Sequence, residues 1–310
     1  MRRHILVLAA LAMVGVSVLA QDAPHFSAHS DLVVLDIAVT DRRGGFVGGL
    51  PQESFRVLEE GRPQEVSFFA EQDAPATVGL LIDSSGSMAD HRSRVIAGIE
   101  AFALASHPDD EFLPLAFNEQ VAAVLPPDRR FTSDAAELRT ALTRNLSAYG
   151  RTAFHDALAA ALEQLSYGTH ERRALIILSD GGDNASRRSF AEALQQVQAS
   201  NVVIYSVALL DPLSRDQNPK ALRRLADATG GLSFEPSRVS AIGAALGTIA
   251  ADIRSRYTLA FAPAETKGDS RLRRISVSVH GPNGGKLNVR TRTGYLPAPP
   301  TTTAERSESR

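Results

Sequence analysis

Val78-Gly79-Leu80-Leu81-Ile82-Asp83-Ser84-Ser85-Gly86-Ser87 decides how this chain is read. The apolar run 78–82 has no polar position to turn toward water, so it reads as a strand covered on both faces. It ends in a turn that carries one carboxylate and, on alternate residues, the hydroxyls of Ser85 and Ser87. A helical stretch begins near Ala89. In an open α/β sheet the carboxyl ends of the strands are where ligands bind. Carboxylate and hydroxyl oxygens in that place suit a small, hard divalent cation such as magnesium. A simpler use of Asp83, Ser85 and Ser87 is to cap the following helix, which these residue types often do.

Two more stretches bear on the choice. Gly150-Arg151-Thr152 opens a helix with apolar positions at 154, 157, 158, 161, 162 and 165. Ala174-Leu175-Ile176-Ile177-Leu178 reads as another buried parallel strand and runs into Ser179-Asp180-Gly181-Gly182-Asp183. Separate segments thus each bring an oxygen donor to an element end, which capping of a single helix does not explain. This set resembles the metal-ion-dependent adhesion site of von Willebrand factor type A domains. That motif is D-x-S-x-S, a distant Thr, and an Asp just before a Gly after a later strand. It maps, in the family's order, onto Asp83, Ser85, Ser87, Thr152 and Asp180.

The resemblance implies a ligand set. Ser85 and Ser87 bind the cation directly, and Thr152 and the carboxylates bind directly or through water. One position stays open for an Asp or Glu side chain of a partner protein. The implied cation is Mg2+, with Mn2+ or Ca2+ as alternatives. Hydroxyl ligands are neutral, so the cation keeps net positive charge and draws an acidic group. Asp90 and Asp183 are read as surface residues. Asp90 sits where some adhesion receptors place an adjacent cation, but His91 replaces the second acidic residue expected there. Arg151 departs from the small residue often found beside the Thr, so it either obstructs the metal or meets an incoming carboxylate. His155 and Asp156 are assigned to the solvent face of their helix.

The same family sets the fold expectation, which the chain order supports. Strands and helices alternate over 77–255, as in a doubly wound, mostly parallel α/β sheet with helices on both faces. Flanking β segments at 31–70 and 256–296 are each too short to be comfortable alone, and they are expected to pair into one small all-β domain. The wording of 39–69 resembles the leader of a bacterial group of exported proteins related to this family. Within these parts, 31–40 reads as a half-buried strand, and 55–58 and 65–69 as strands joined by a turn at 59–63. Segments 112–117 and 121–125 read as an edge hairpin. Ser133 and Ser189 are read as helix N-caps, and Gly230-Gly231 as a helix stop. The Pro-, Thr- and Ser-rich tail, 298–310, is expected to be disordered.

Composition narrows the function classes. The 310 residues include 33 basic and 35 acidic groups, a formal charge of −2, and 44% hydrophobic residues. Such a balance supports a sizeable core and gives no electrostatic case for nucleic acid or an anionic membrane surface. The absence of cysteine excludes disulfides, thiolate metal sites and cysteine nucleophiles. Met1-Arg2-Arg3-His4 followed by the apolar run 5–20 reads as a secretory signal peptide, cleaved after Val18-Leu19-Ala20 to leave Gln21 first. The alternative is an uncleaved anchor, for which the run falls short of the ~20 residues of a span. After cleavage no membrane span is expected, and the protein is periplasmic, cell-surface or secreted. No G-x-S-x-G, H-E-x-x-H or P-loop occurs. A cation held mainly by hydroxyls also has no evident base beside it to activate water. The expectation is an exported, metal-dependent protein-binding module, not an enzyme. The alternatives are an envelope-assembly protein with a fold-stabilising metal, and a metal-assisted hydrolase.

Overall fold

The computed structural model describes residues 32–71, 73–211, 216–238, 241–263, 271–282 and 284–297. The signal peptide read at 1–20 and the tail read at 298–310 lie outside the described residues. The first strands are β1 (Val33–Thr40), β2 (Phe55–Glu59), β3 (Arg62–Gln64), β4 (Phe68–Ala70) and β5 (Ala76–Asp83). Then come α1 (Arg92–Ala105), β6 (Glu111–Phe117), β7 (Val121–Ala123), α2 (Ala135–Asn145), α3 (Phe154–Leu165), β8 (Arg172–Ser179), α4 (Phe190–Ala199) and β9 (Val202–Ala208). The chain continues through α5 (Pro219–Thr229), β10 (Ser233–Phe234), α6 (Ile242–Arg254), β11 (Arg256–Phe261), β12 (Arg273–Val279), β13 (Asn288–Arg290) and β14 (Gly294–Tyr295).

The apolar run 78–82 lies in β5, inside a six-stranded sheet of order β10-β9-β8-β5-β6-β7. All neighbours are parallel except the edge hairpin β6–β7. Every residue of β5 is buried. Successive side chains point to opposite faces, so Leu80 and Ile82 join Ile99, Phe102, Leu138, Leu246 and Ile249 under α1, α2 and α6. Leu81 joins Phe154, Leu158, Ile177, Val197 and Leu225 under α3, α4 and α5. Gly79 interrupts the run for a steric reason, since a Cβ there would lie 2.7 Å from Leu175 Cδ1.

The flanking segments interleave. One sheet has the order β13-β1-β11-β4 and the other β14-β12-β2-β3, so each mixes strands from both ends of the chain. All these pairings are antiparallel. The sheets share a core of Leu35, Ile37, Phe55, Val57, Tyr257, Leu259, Phe261 and Val279. The α/β part is therefore inserted in sequence between the halves of a β-sandwich, as the fold class anticipates.

Local expectations are corrected in three places. β1 is covered on both faces, because Asp36 and Ala38 are buried on the side opposite its sandwich core. There Thr258 Oγ1 donates to Asp36 Oδ1 (2.8 Å), and Arg172 Nε lies 4.0 Å from the same oxygen. The strand read at 65–69 does not form as drawn. Glu60 and Gly61 both have positive φ, 48° and 78°, which makes a two-residue hairpin turn matched to strand twist. β3 therefore starts at Arg62, and the chain crosses to the other sheet before β4. The N-cap of α2 is Asp134 rather than Ser133; its carboxylate accepts from Ala136 N and Glu137 N. Ser189 does cap α4, in a reciprocal pair with Glu192, and Gly230 ends α5 with φ 75°.

Arginines join the sandwich to the α/β part. Arg256 is wholly buried and donates to Asp252 Oδ2 (2.7 Å), Gly230 O (2.6 Å), Asp36 O (3.1 Å) and Tyr205 Oη (3.0 Å). Arg290 donates to the other oxygen of Asp252, and Arg292 to Gln198 O (2.6 Å) and Asn201 Oδ1 (2.9 Å). These cations thus meet the carbonyl ends of α4 and α5, where positive charge is favoured.

Candidate metal centre

Adjacent parallel strands end at the same sheet edge. β5 and β8 are paired from Ala76↔Arg172 to Ile82↔Leu178, so the residues that follow, Asp83 and Ser179, come out side by side. A 3-10 turn, Gly86–His91, then separates Asp83 from α1. Ser85 stands at the N-cap of that turn without a side-chain capping bond, and the N-cap of α1 is His91, also without one. Helix capping is therefore not what these hydroxyls do.

Four of the motif residues form one hydrogen-bonded group. Ser85 N donates to Asp83 Oδ1 (2.9 Å). The hydroxyls of Ser85 and Ser87 are 3.2 Å apart, and Ser87 Oγ donates to Asp180 Oδ2 (3.2 Å). Gly182 N fixes the remaining oxygen, Asp180 Oδ1 (2.8 Å). Thr152 is joined to the group through its loop, since Tyr149 N donates to Ser84 O (2.9 Å) and Gly86 N to Gly150 O (3.5 Å). Asn184 clasps Thr152 itself: Asn184 Oδ1 accepts from Thr152 N (3.0 Å), and Asn184 N donates to Thr152 O (2.9 Å).

The charge balance of this group fits a cation. Asp83 and Asp180 are only 2% and 5% exposed. Burial pushes the Asp83 carboxyl up; hydrogen bonds from Ser179 and Ser85 oppose the shift, and the nearby Asp180 adds to it. A divalent ion would offset these two carboxylates, and the donors are all hard oxygens. Among the described residues, no three His, Asp or Glu side chains gather into a metal-holding group, so a cation here depends on the hydroxyls.

The other residues singled out in the sequence are placed as follows. Asp90 is exposed, as read. Asp183 is not a free surface group. It accepts from His155 N (2.8 Å) and Ser186 N (3.1 Å), and its Oδ2 lies 3.0 Å from His155 Nδ1. His155 is not on a solvent face either. Its ring meets those of Phe154 and Phe190, and Nδ1 faces the Asp183 carboxylate and Arg188 O (3.1 Å). Both are acceptors, so Nδ1 carries the hydrogen. Asp156 binds Arg188 Nη1 (3.0 Å) and Arg187 N (2.9 Å). These contacts come from the 183–189 loop folding back over the first turn of α3. Arg151 donates to Asn184 O, and its backbone N to Glu119 Oε1 (3.2 Å), so it fastens loops together. Ser179 and Asn184 lie outside the five-residue motif. Ser179 was marked only by its place before Asp180, and nothing local marks Asn184.

The family model of the von Willebrand factor type A domain matches residues 78–247. Among solved structures, the chain is similar to a von Willebrand factor type A protein from Catenulispora acidiphila. Identity is 16%, with 87% of this chain and 75% of that chain covered and a TM-score of 0.51. It is also similar to an aerotolerance-related membrane protein from Bacteroides fragilis carrying multiple mutations to serine (17% identity, 58% and 98% covered, TM-score 0.46). A third is the PilB minor pilin from Streptococcus sanguinis (12% identity, 60% and 62% covered, TM-score 0.48). No curated protein matches the sequence.

Proposed function

The chain belongs to the von Willebrand factor type A family, and on that premise we propose that it is an exported protein-interaction module. It takes an acidic side chain of a partner through a divalent cation held by Asp83, Ser85, Ser87, Thr152 and Asp180. The observation that carries this reading is the linked group of two buried carboxylates and two serine hydroxyls at one sheet edge. A bound cation supplies a Lewis-acidic positive centre that a carboxylate of the partner can occupy. The residues of this chain supply the rest. Asp83 and Asp180 compensate charge, Ser85 and Ser87 add neutral donors that leave the centre net positive, and Thr152 contributes from the adjoining loop. Export rests on the basic start and apolar run of 1–20. No described helix is long and apolar enough to cross a membrane.

The pair of buried carboxylates also supports an envelope-assembly role in which the cation only stabilises the fold, because an ion relieves their repulsion whether or not a partner binds. One set of experiments separates the readings. Magnesium calorimetry on the wild type and Asp83→Ala is run beside capture from the native envelope, with magnesium or with chelator. The adhesion reading expects binding of both ion and partner to be lost in a folded Asp83→Ala protein. A folded Asp83→Ala protein that captures its partner as the wild type does, in excess chelator, sinks it. Partner capture that ignores the ion while magnesium still raises the melting temperature identifies the structural role.

A further inference from the structure

The cation motif leaves out the residue that touches Asp83 most closely. Ser179 is completely buried at the end of β8. Its Oγ donates to Asp83 Oδ2 at 2.6 Å and accepts from Gly181 N at 3.0 Å. The Gly181 N–H occupies an acceptor position on the hydroxyl, and the carboxylate can only accept, so the hydroxyl hydrogen points at Asp83. Gly181 can turn back in this way because its φ is +77°, and a Cβ there would meet Asn218 O at 2.5 Å. Ser85 N holds the other oxygen, Asp83 Oδ1, at 2.9 Å. Each carboxylate oxygen thus has one fixed donor and keeps a second acceptor direction for an ion. The parallel register of β5 and β8 sets this arrangement, because it brings positions 83 and 179 out together.

We propose that Ser179 is a positioning residue of the cation site: its hydroxyl holds the Asp83 carboxylate in the orientation that receives the ion. The inference rests on the reading of Asp83 as a cation ligand. Ser179 takes no part in the ligand set and acts through Asp83 alone. Its hydroxyl also accepts the Gly181 N–H, so removing it leaves that buried group unpaired and costs some fold stability, a cost separable from any change in metal affinity. Residues that orient ligands in this way typically alter metal affinity about 10–100-fold when removed.

The test is magnesium calorimetry on the full chain for the wild type, Ser179→Ala, Ser179→Thr and Ser179→Val, with circular dichroism and melting temperatures in chelator. Thr keeps the hydroxyl, and Val has the same shape without it. Expected is an affinity about 10–100-fold weaker for Ala and Val, restored most of the way by Thr, with Ala and Val melting somewhat lower than the wild type in chelator because the Gly181 N–H loses its acceptor. A folded Ser179→Ala protein that binds magnesium within about twofold of the wild type overturns the proposal. Equal affinities of the Thr and Val variants also overturn it. If neither Ala nor Val folds, the hydroxyl is a folding requirement and the proposal falls. A wild type that takes no divalent cation overturns the site reading and this inference together, whereas a wild type that binds with indifferent variants overturns this inference alone.

Discussion

Several groups of the candidate site are held by residues from elsewhere in the chain, as Asp83 is by Ser179 and Asp180 by Ser87. Asn184 is the clearest case, because one side chain and its own peptide bind both the N–H and the carbonyl of Thr152. Asn184→Ala removes the acceptor of the Thr152 N–H and loosens the loop that brings Thr152 to the site. The expected result is magnesium affinity lowered by about tenfold in calorimetry. Circular dichroism should be unchanged, because Asn184 is exposed, and Asn184→Asp, which keeps Oδ1, should lose less. Thr152→Ala should leave weak magnesium binding while partner capture falls, because it deletes a neutral donor and spares both carboxylates. At this scale the motif positions could be read from the chain, since their types and order are local facts. The clasps by Asn184 and Ser179 could not, because a clasp is a contact between loops and strands far apart in sequence.

Element ends follow simple rules, and those rules can be tested. Asp134 caps α2 with its carboxylate on Ala136 N at 2.8 Å. Asp134→Ala should cost about 1 kcal/mol in urea unfolding, and Ser133→Ala much less. Gly230 ends α5 in the left-handed region, and a Cβ there would lie 2.3 Å from the Thr291 carbonyl carbon. Gly230→Ala should therefore destabilise by more than the ~1 kcal/mol of backbone conformation alone, seen as a lower urea midpoint with an unchanged slope. The cap of α2 lies one residue later than the sequence suggests because Ser133 and Asp134 are both good cap types, and only the backbone geometry selects one. A five-residue turn at 59–63 puts the next strand at 65–69, whereas Glu60 takes up a positive φ that its residue type does not advertise and the strand starts at Arg62.

Among the described residues, Asp252 of α6 is buried between Arg256 and Arg290, which ties β11 and β13 to the α/β part. Burial alone would push its carboxyl up, but the two guanidinium groups and the Tyr205 hydroxyl hold it below the ordinary value of 3.8. A depressed carboxyl adds stability that is present above that ordinary value and is lost as pH falls through the lowered folded-state value. The acid limb of stability should therefore lie below about pH 4. Asp252→Asn should flatten that limb in pH-dependent urea titrations and cost about 3–5 kcal/mol near neutrality, because Arg256 is left buried without its counter-charge. A chain ending at residue 255 loses the arginines that meet Gln198 O and Gly230 O. It also loses β11–β14, without which the β1–β4 segment has no sheet to complete. Such a fragment should be protease-sensitive and lack a cooperative melting transition.

By itself, the sequence determined what depends on neighbours along the chain. The buried strand 78–82 follows from an unbroken apolar run, the βα alternation from changing periodicity, and the candidate site from donors placed at strand and helix ends. Tertiary structure decided what depends on residues brought together from afar. Asp36 looked solvent-facing by alternation, yet it is buried because a second layer covers that face of β1. Asp183 and His155 looked like surface groups, yet they close a loop over α3. Nothing along the chain marks the arginines at 256, 290 and 292, yet they close the carbonyl ends of helices that lie tens of residues away in sequence. Burial of a polar side chain is set by its partners, and a linear pattern records the side chain without recording what will meet it.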